Sequence, residues 1–189
     1  MIAGLVPIMA QSKPITGGKK LARAVSVRPA TLDDLSSIRY LHATAFRLQA
    51  DDYFTSDEIE QFRQLVYSPA YADAVVAAHL STAWIGTELA GTAGWAPQPG
   101  RQSLALIRFV FVRPPFARLG VARRLVAEAE QSARAAGLER LAVDCPANAV
   151  TIFTRLGYRP ATLPSKSTTG DLGLPVRRMV KIHDAPPVA

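Results

Sequence analysis

Over residues 103–157 the hydrophobic period switches from strand to helix and back, and this succession limits the fold more than anything else in the chain. Residues 103–112 are dense in Leu, Ile, Val and Phe, as suits a strand covered on both faces. Residues 120–136 place Val121, Leu125, Ala129, Ala133 and Ala136 on one face and Arg123, Arg124, Glu128, Glu130 and Arg134 largely on the other, which predicts a helix stopped by Gly137. Residues 141–145 read as strand again. Strand, helix and strand in that order form a right-handed crossover, so 103–112 and 141–145 are expected as parallel neighbours. A short helix over 149–156 capped by Gly157, and a return to strand from Tyr158 to a last strand at 176–181, complete this half.

The preceding half is read the same way. Residues 24–28 predict a first strand closed by Pro29, and Thr31 with Asp34 three residues on predicts a helix start ahead of the stripe Leu35, Ile38, Leu41, Ala45 and Phe46. Ser56, followed by Asp57 and Glu58, opens a second helix that buries Ile59, Phe62, Leu65 and Val66. Residues 49–55 between them are expected as a loop with an aromatic edge of Tyr53 and Phe54. Residues 82–85 and 89–96 predict a hairpin turning at 86–88. Strands alternating with helices indicate an α/β domain.

At 189 residues with 49% apolar and 20% charged residues, the chain suits one domain plus tails, and a domain of roughly 150 residues buries about 70% of its unfolded surface without a staple. The single cysteine, Cys145, excludes an intramolecular disulfide, and no Cys and His cluster has metal-ligand spacing, so an intracellular, cytoplasmic protein with no metal is expected. The apolar run 2–10 lacks a preceding basic residue and is far shorter than the roughly 20 residues of a membrane span. We therefore expect residues 1–23 as a flexible leader, 24–181 as the domain and 182–189 as a tail, with no membrane partner. The net charge of +7 resides mostly at the ends: Lys13, Lys19, Lys20 and Arg23 lie in the leader, and residues 165–189 add a further excess of two, leaving +1 for the body. A nearly neutral body argues against a dedicated nucleic-acid binder.

Within that body Arg113, Arg118, Arg123 and Arg124 gather where the strand 103–112 passes through Pro114 and Pro115 into a helix whose start carries Gly120 and Ala122. The first N–H groups of a helix lack intrahelical partners and lie at the positive end of its dipole. Small residues there let a phosphate approach the main chain, and the arginines add charge around it. Neither a P-loop lysine nor three glycines at dinucleotide spacing is present.

Val112-x-Pro114 followed by Ala117-x-x-Gly120-x-Ala122 resembles the acetyl-coenzyme A motif of the GNAT superfamily, written as Gln or Arg, two residues, Gly, one residue, Gly or Ala. Asn148-Ala149 through Phe153 to Gly157-Tyr158 is similar to that family's second cofactor motif, Asn-Ala-x-x-Phe-Tyr-x-x-x-Gly-Phe. The resemblance covers about residues 24–181 and implies a mixed, mostly antiparallel sheet splayed between two parallel strands, with flanking helices. It implies N-acetyl transfer from acetyl-coenzyme A to a primary amine by direct attack in a ternary complex, on a small-molecule or peptide acceptor. The coenzyme would be held by Val110, Phe111, Val112, Arg118, Leu119, Gly120, Val121, Ala122, Arg123, Asn148 and Phe153, with an N–H near Val110 as oxyanion donor. Two positions depart from the pattern: Ala117 replaces the leading Gln or Arg, and Phe153 replaces the tyrosine often assigned as general acid, where a phenyl ring has no proton to donate.

A base is needed to take the ammonium proton. Asp144, at the carboxyl end of a central strand, is the first candidate and His42 on the first helix the second. Tyr53 could line the acceptor cavity, and Cys145 reads as a small core residue. A GNAT-fold module that binds acyl-coenzyme A without turnover, suggested by Phe153, is the competing reading, followed by a nucleic-acid-associated protein using the basic ends. A homodimer is compatible with the sequence.

Overall fold

The computed structural model describes residues 25–50, 54–101, 103–161 and 176–182. The expected leader 1–23, the tail beyond Ile182 and Tyr53 lie outside the described residues. Strands β1 (Val25–Pro29), β2 (His79–Ile85), β3 (Glu88–Pro97), β4 (Leu104–Val112), β5 (Arg140–Cys145), β6 (Arg159–Pro160) and β7 (Arg177–Ile182) form one sheet in the order β1-β2-β3-β4-β5-β7-β6. Every neighbouring pair is antiparallel except β4 and β5. The sheet is therefore mixed and mostly antiparallel, as the resemblance implies.

Five α-helices flank the sheet among the described residues: α1 (Leu35–Ala50), α2 (Ser56–Val66), α3 (Pro69–Ala77), α4 (Val121–Ala135) and α5 (Val150–Arg155). Their starts are chemically specified. Asp34 accepts from the Thr31 N–H at 2.9 Å and from Arg28 through two bonds of 2.7 and 2.8 Å, which closes a short 3-10 turn ahead of α1. Thr55 and Glu58 form a reciprocal capping box on α2, with the Thr55 N–H donating to Glu58 at 2.7 Å. Ser68 caps α3 and Pro69 occupies its first turn, where a missing N–H costs nothing. Helix α3 was not anticipated from the sequence: apolar residues surround it, so it shows no stripe.

The helices divide into two layers. On one face α1, α2 and α3 bury Ile38, Leu41, Phe46, Phe62 and Val75 against Leu80, Leu89, Phe109 and Phe111 of the sheet. On the other, α4 and α5 bury Val121, Leu125, Ala129 and Phe153 against Ala93, Ile107, Val110 and Val112. At about 1.5–3 kcal/mol for each large side chain taken from water, these two layers supply the main driving force.

Strand β4 serves both layers through a change of phase. Its Ala105 and Ile107 face α4, and so do Val110 and Val112, although Ile107 and Val110 are an odd number of residues apart. Between them Thr92 pairs with Phe111 while Gly94 pairs with Arg108, so β4 carries one residue more than β3 across this interval. That is a β-bulge, and Phe109 within it has the left-handed φ of 54°. The apolar run 103–112 was expected as a plain strand. Gly91 of β3 belongs to the same close approach, since a Cβ there would stand 2.6 Å from the Phe111 carbonyl oxygen.

Candidate functional site

The ladder between β4 and β5 holds for only four pairs, from Leu104 opposite Arg140 to Ile107 opposite Val143. Beyond it β4 continues to Val112 along β3, while β5 continues to Cys145 along β7, so the sheet opens between them. Main-chain groups alternate in direction along a strand. The Arg113 N–H donates to the Ala90 carbonyl of β3 at 2.9 Å, which sets the Phe111 main chain toward β3 as well and turns Val110 and Val112 toward the opening. All three side chains are buried, with Val110 and Val112 under α4 and Phe111 on the α1 side.

At the end of β4, Pro114–Phe116 form a 3-10 turn, and Arg118 and Gly120 then take left-handed φ values of 63° and 78° on either side of Leu119. The intrahelical ladder of α4 begins with the Arg124 N–H donating to the Gly120 carbonyl at 3.1 Å. The N–H groups of Val121, Ala122 and Arg123 therefore precede the first helical bond, next to a turn with two left-handed residues, an arrangement of main chain that can receive an anion. A Cβ at Gly120 would meet nothing within 4 Å, so the space above this turn is open.

The four arginines have different roles. Arg113 donates to Glu88 at 2.9 Å and lies over the Phe116 ring, and Arg124 donates to the Val25 carbonyl at 3.0 Å, which ties α4 to β1. Arg118 and Arg123 are exposed and make no ion pair among the described residues. On the far side of the opening, Asn148 sits in a 3-10 turn ahead of α5, its Oδ1 buried with no hydrogen-bond partner among the described residues. An orphaned buried carbonyl suits a ligand with amide or hydroxyl donors. Phe153 is buried edge-on against Tyr158, with ring centroids 5.2 Å apart. Burial first, and then the charge of Glu130, push the Tyr158 phenol well above its ordinary range, so it holds its proton.

The two expected bases are both engaged by partners. Asp144 accepts from Arg178 at 2.7 and 2.5 Å through both carboxylate oxygens in a bidentate fork, and both side chains are largely buried. His42 is fully buried between the sheet and α1, stacked 4.1 Å from Phe111, with Nδ1 2.9 Å from the Tyr71 hydroxyl and Nε2 2.8 Å from the Thr92 hydroxyl. Burial draws its pKa from 6.5 down to about 3, so the ring is neutral. Cys145 is buried with its thiol pushed up to about 12 by burial and by Asp144, in keeping with a core residue. Tyr71, Thr92 and Arg178 carry no local signal in the sequence, because each acquires its partner only through long-range pairing.

A model of the Acetyltransferase (GNAT) family matches residues 38–158. The chain belongs to the GNAT acetyltransferase family. The PaiA N-acetyltransferase of Thermoplasma acidophilum, in complex with coenzyme A, superposes on this GNAT domain with a TM-score of 0.71 at 12% identity, covering 84% of this chain and 99% of that one. A GCN5-related N-acetyltransferase from Rhodopseudomonas palustris gives 0.71 at 19% identity, covering 83% and 94%. N-acetylglutamate synthase of Neisseria gonorrhoeae, complexed with coenzyme A and L-arginine, gives 0.60 at 18% identity, covering 85% of this chain and 34% of that longer one. No curated protein matches the GNAT chain by sequence. Among the described residues no group of three or more His, Cys, Asp or Glu could hold a metal ion, and no helix is long and apolar enough to cross a membrane.

Proposed function

We propose that the protein transfers an acetyl group from acetyl-coenzyme A to a primary amine by direct attack in a ternary complex. The observation that carries this reading is the opening between β4 and β5, with the Val110 and Val112 main chain turned into it and the left-handed turn at Arg118–Gly120 following the same strand. Bound there, acetyl-coenzyme A supplies a thioester already activated toward nucleophiles.

The residues divide the remaining work. Val110 and Val112 hold the pantetheine amides in strand fashion, with Phe111 fixing the main chain between them. The N–H groups from Leu119 to Arg123 receive the diphosphate, the small side chain of Ala122 leaves room for it, and Arg118 and Arg123 add charge. Asn148 Oδ1 accepts a donor from the pantetheine arm, and Phe153 covers the thiol end. The Val110 N–H faces the thioester oxygen as negative charge gathers there, a contribution of about 3 kcal/mol for a preorganised donor. With Asp144 in its ion pair and His42 in the core, the proton leaving the amine passes to water, and the released thiolate takes one from water.

Phe153 favours one second reading, a GNAT-fold module that binds acyl-coenzyme A without turnover. The two separate in one experiment: acceptor-dependent release of free coenzyme A across small amines, peptide N-termini and lysine side chains, against the hydrolysis background. Turnover with any acceptor supports the enzyme. Thermal stabilisation by acetyl-coenzyme A with no acceptor-dependent release from any amine supports the module.

A further inference from the structure

Through the α1-side core runs a line of buried hydrogen bonds that ends on the bulge of β4. The Thr92 hydroxyl donates its single proton to the Phe109 carbonyl at 2.7 Å. Its oxygen must then accept from His42 Nε2, 2.8 Å away, which places the imidazole proton on Nε2 and leaves Nδ1 as the acceptor for the Tyr71 hydroxyl at 2.9 Å. Every direction in the chain Tyr71 to His42 to Thr92 to Phe109 is thus determined. The rings of Phe109 and Phe111 enclose the imidazole, with centroids 5.9 and 4.1 Å away and nearly parallel planes.

The last acceptor is an amide carbonyl, which cannot take a proton, so the line is no proton relay. What it can do is hold a peptide plane. The Phe109 carbonyl and the Val110 N–H are opposite ends of one planar trans peptide unit, so fixing the oxygen aims the N–H. Phe109 sits at a φ of 54° inside the bulge, a conformation that a bulky residue keeps only where its surroundings over-determine it. We propose that His42, Thr92 and Tyr71 are positioning residues that lock the Phe109–Val110 peptide, so that the Val110 N–H points into the opening between β4 and β5 before any ligand arrives. The proposal rests on the reading of Val110 as the donor to the thioester oxygen. A satisfied buried network suits this task, because it has one low-energy arrangement where a greasy contact has several. The neutrality of the imidazole keeps that arrangement constant across the physiological pH range.

The test compares Thr92→Val, which removes the donor at nearly constant volume, with Thr92→Ser, which retains it, and with Phe46→Leu, a core change on the same helix layer that leaves the line intact. Four quantities are read for each: the Val110 amide resonance in the ligand-free protein, the dissociation constant of coenzyme A by calorimetry, kcat and KM with an amine acceptor, and the urea midpoint. Thr92→Val is expected to move the Val110 resonance and lower kcat at least tenfold while the coenzyme A constant changes less than threefold, and Thr92→Ser to recover kcat to within threefold. Phe46→Leu should lower the urea midpoint and leave both kcat and the Val110 resonance in place. The His42 nitrogen resonances should report a proton on Nε2. An unmoved Val110 resonance in Thr92→Val, a proton on Nδ1, or an equal loss of kcat in Phe46→Leu would each overturn the proposal. If the wild type binds coenzyme A but turns over no amine, the enzyme reading fails, and the Val110 and His42 resonances still decide the positioning role.

Discussion

Mild acid should weaken this protein, and the cause is His42. In the folded state the imidazole is fully buried and takes up a proton only below about pH 3, whereas in the unfolded chain it does so below 6.5. Between those values the unfolded state holds one proton more, so unfolding consumes a proton and falling pH favours it. The folded pKa is depressed, so the full stability is present above 6.5 and is lost progressively as pH falls toward 3. From pH 7.5 to 5.5 linkage predicts a loss of about 1.4 kcal/mol from this one group. With a urea slope of about 2 kcal/mol per molar, the midpoint should fall by roughly 0.7 M. Asp34, held down to about 2 chiefly by Arg28, contributes stability that is lost only as pH falls from about 4 through 2, so it does not interfere. The assay is urea unfolding at pH 7.5, 6.5 and 5.5 for the wild type and for His42→Gln, whose amide can bridge Tyr71 and Thr92 but does not titrate. His79 and His183 are common to both proteins and cancel in the comparison. The variant starts from a lower midpoint and should lose about 1.4 kcal/mol less over the interval. Parallel curves for the two proteins would refute the reasoning.

Gly120→Glu should fold, since its Cβ meets nothing within 4 Å, at a cost of about 1 kcal/mol for the left-handed φ. It should abolish the rise in melting temperature produced by coenzyme A, and an unchanged rise would remove the phosphate site from this turn. Phe153→Tyr adds a hydroxyl at the position that lacks an acid, so acceptor-dependent release of coenzyme A should rise or stay level. A tenfold loss, about 1.4 kcal/mol in the barrier, would show that the phenyl ring itself shapes the site. Asp144→Asn and Arg178→Met each break one largely buried ion pair and should lower stability alike, by about 3 kcal/mol, with similar effects on turnover. Turnover lost in Asp144→Asn and retained in Arg178→Met would instead assign Asp144 as the base.

The stretch from 103 to 158 was legible because its period switches cleanly and its turns are marked by Pro114, Gly120, Gly137 and Gly157. The parallel pairing of β4 and β5 follows from that order. The bulge in β4 was not legible, because a strand buried on both faces shows no alternation and a change of phase at Phe109 leaves no trace in hydrophobicity. Helix α3 was missed for a related reason, although Ser68 followed by Pro69 is a sound helix start that stood in plain view. At the candidate site, the turn from Pro114 to Gly120 was readable from its spacing, since a motif records where the backbone must go. The partners of His42 and Asp144 were not. Thr92 lies fifty residues from His42 and Arg178 thirty-four from Asp144, and only the sheet register brings each pair together.

The short ladder between β4 and β5 has a consequence for how the molecule opens and closes. Four pairs join β1–β4 to the remainder of the sheet, and the remainder is small, with β6 contributing only two residues. Amide protons of β5 and β7 should therefore exchange through a partial opening of lower free energy than those of β2 and β3, which lie inside the larger four-stranded part. A ligand arm lying in the opening, bonded to strand edges on both sides, would act as the missing rungs of the sheet. Occupancy would then convert two weakly joined cooperative units into one, and the slowing of exchange on binding should be largest in β5 and β7, on the side of the opening away from the diphosphate turn.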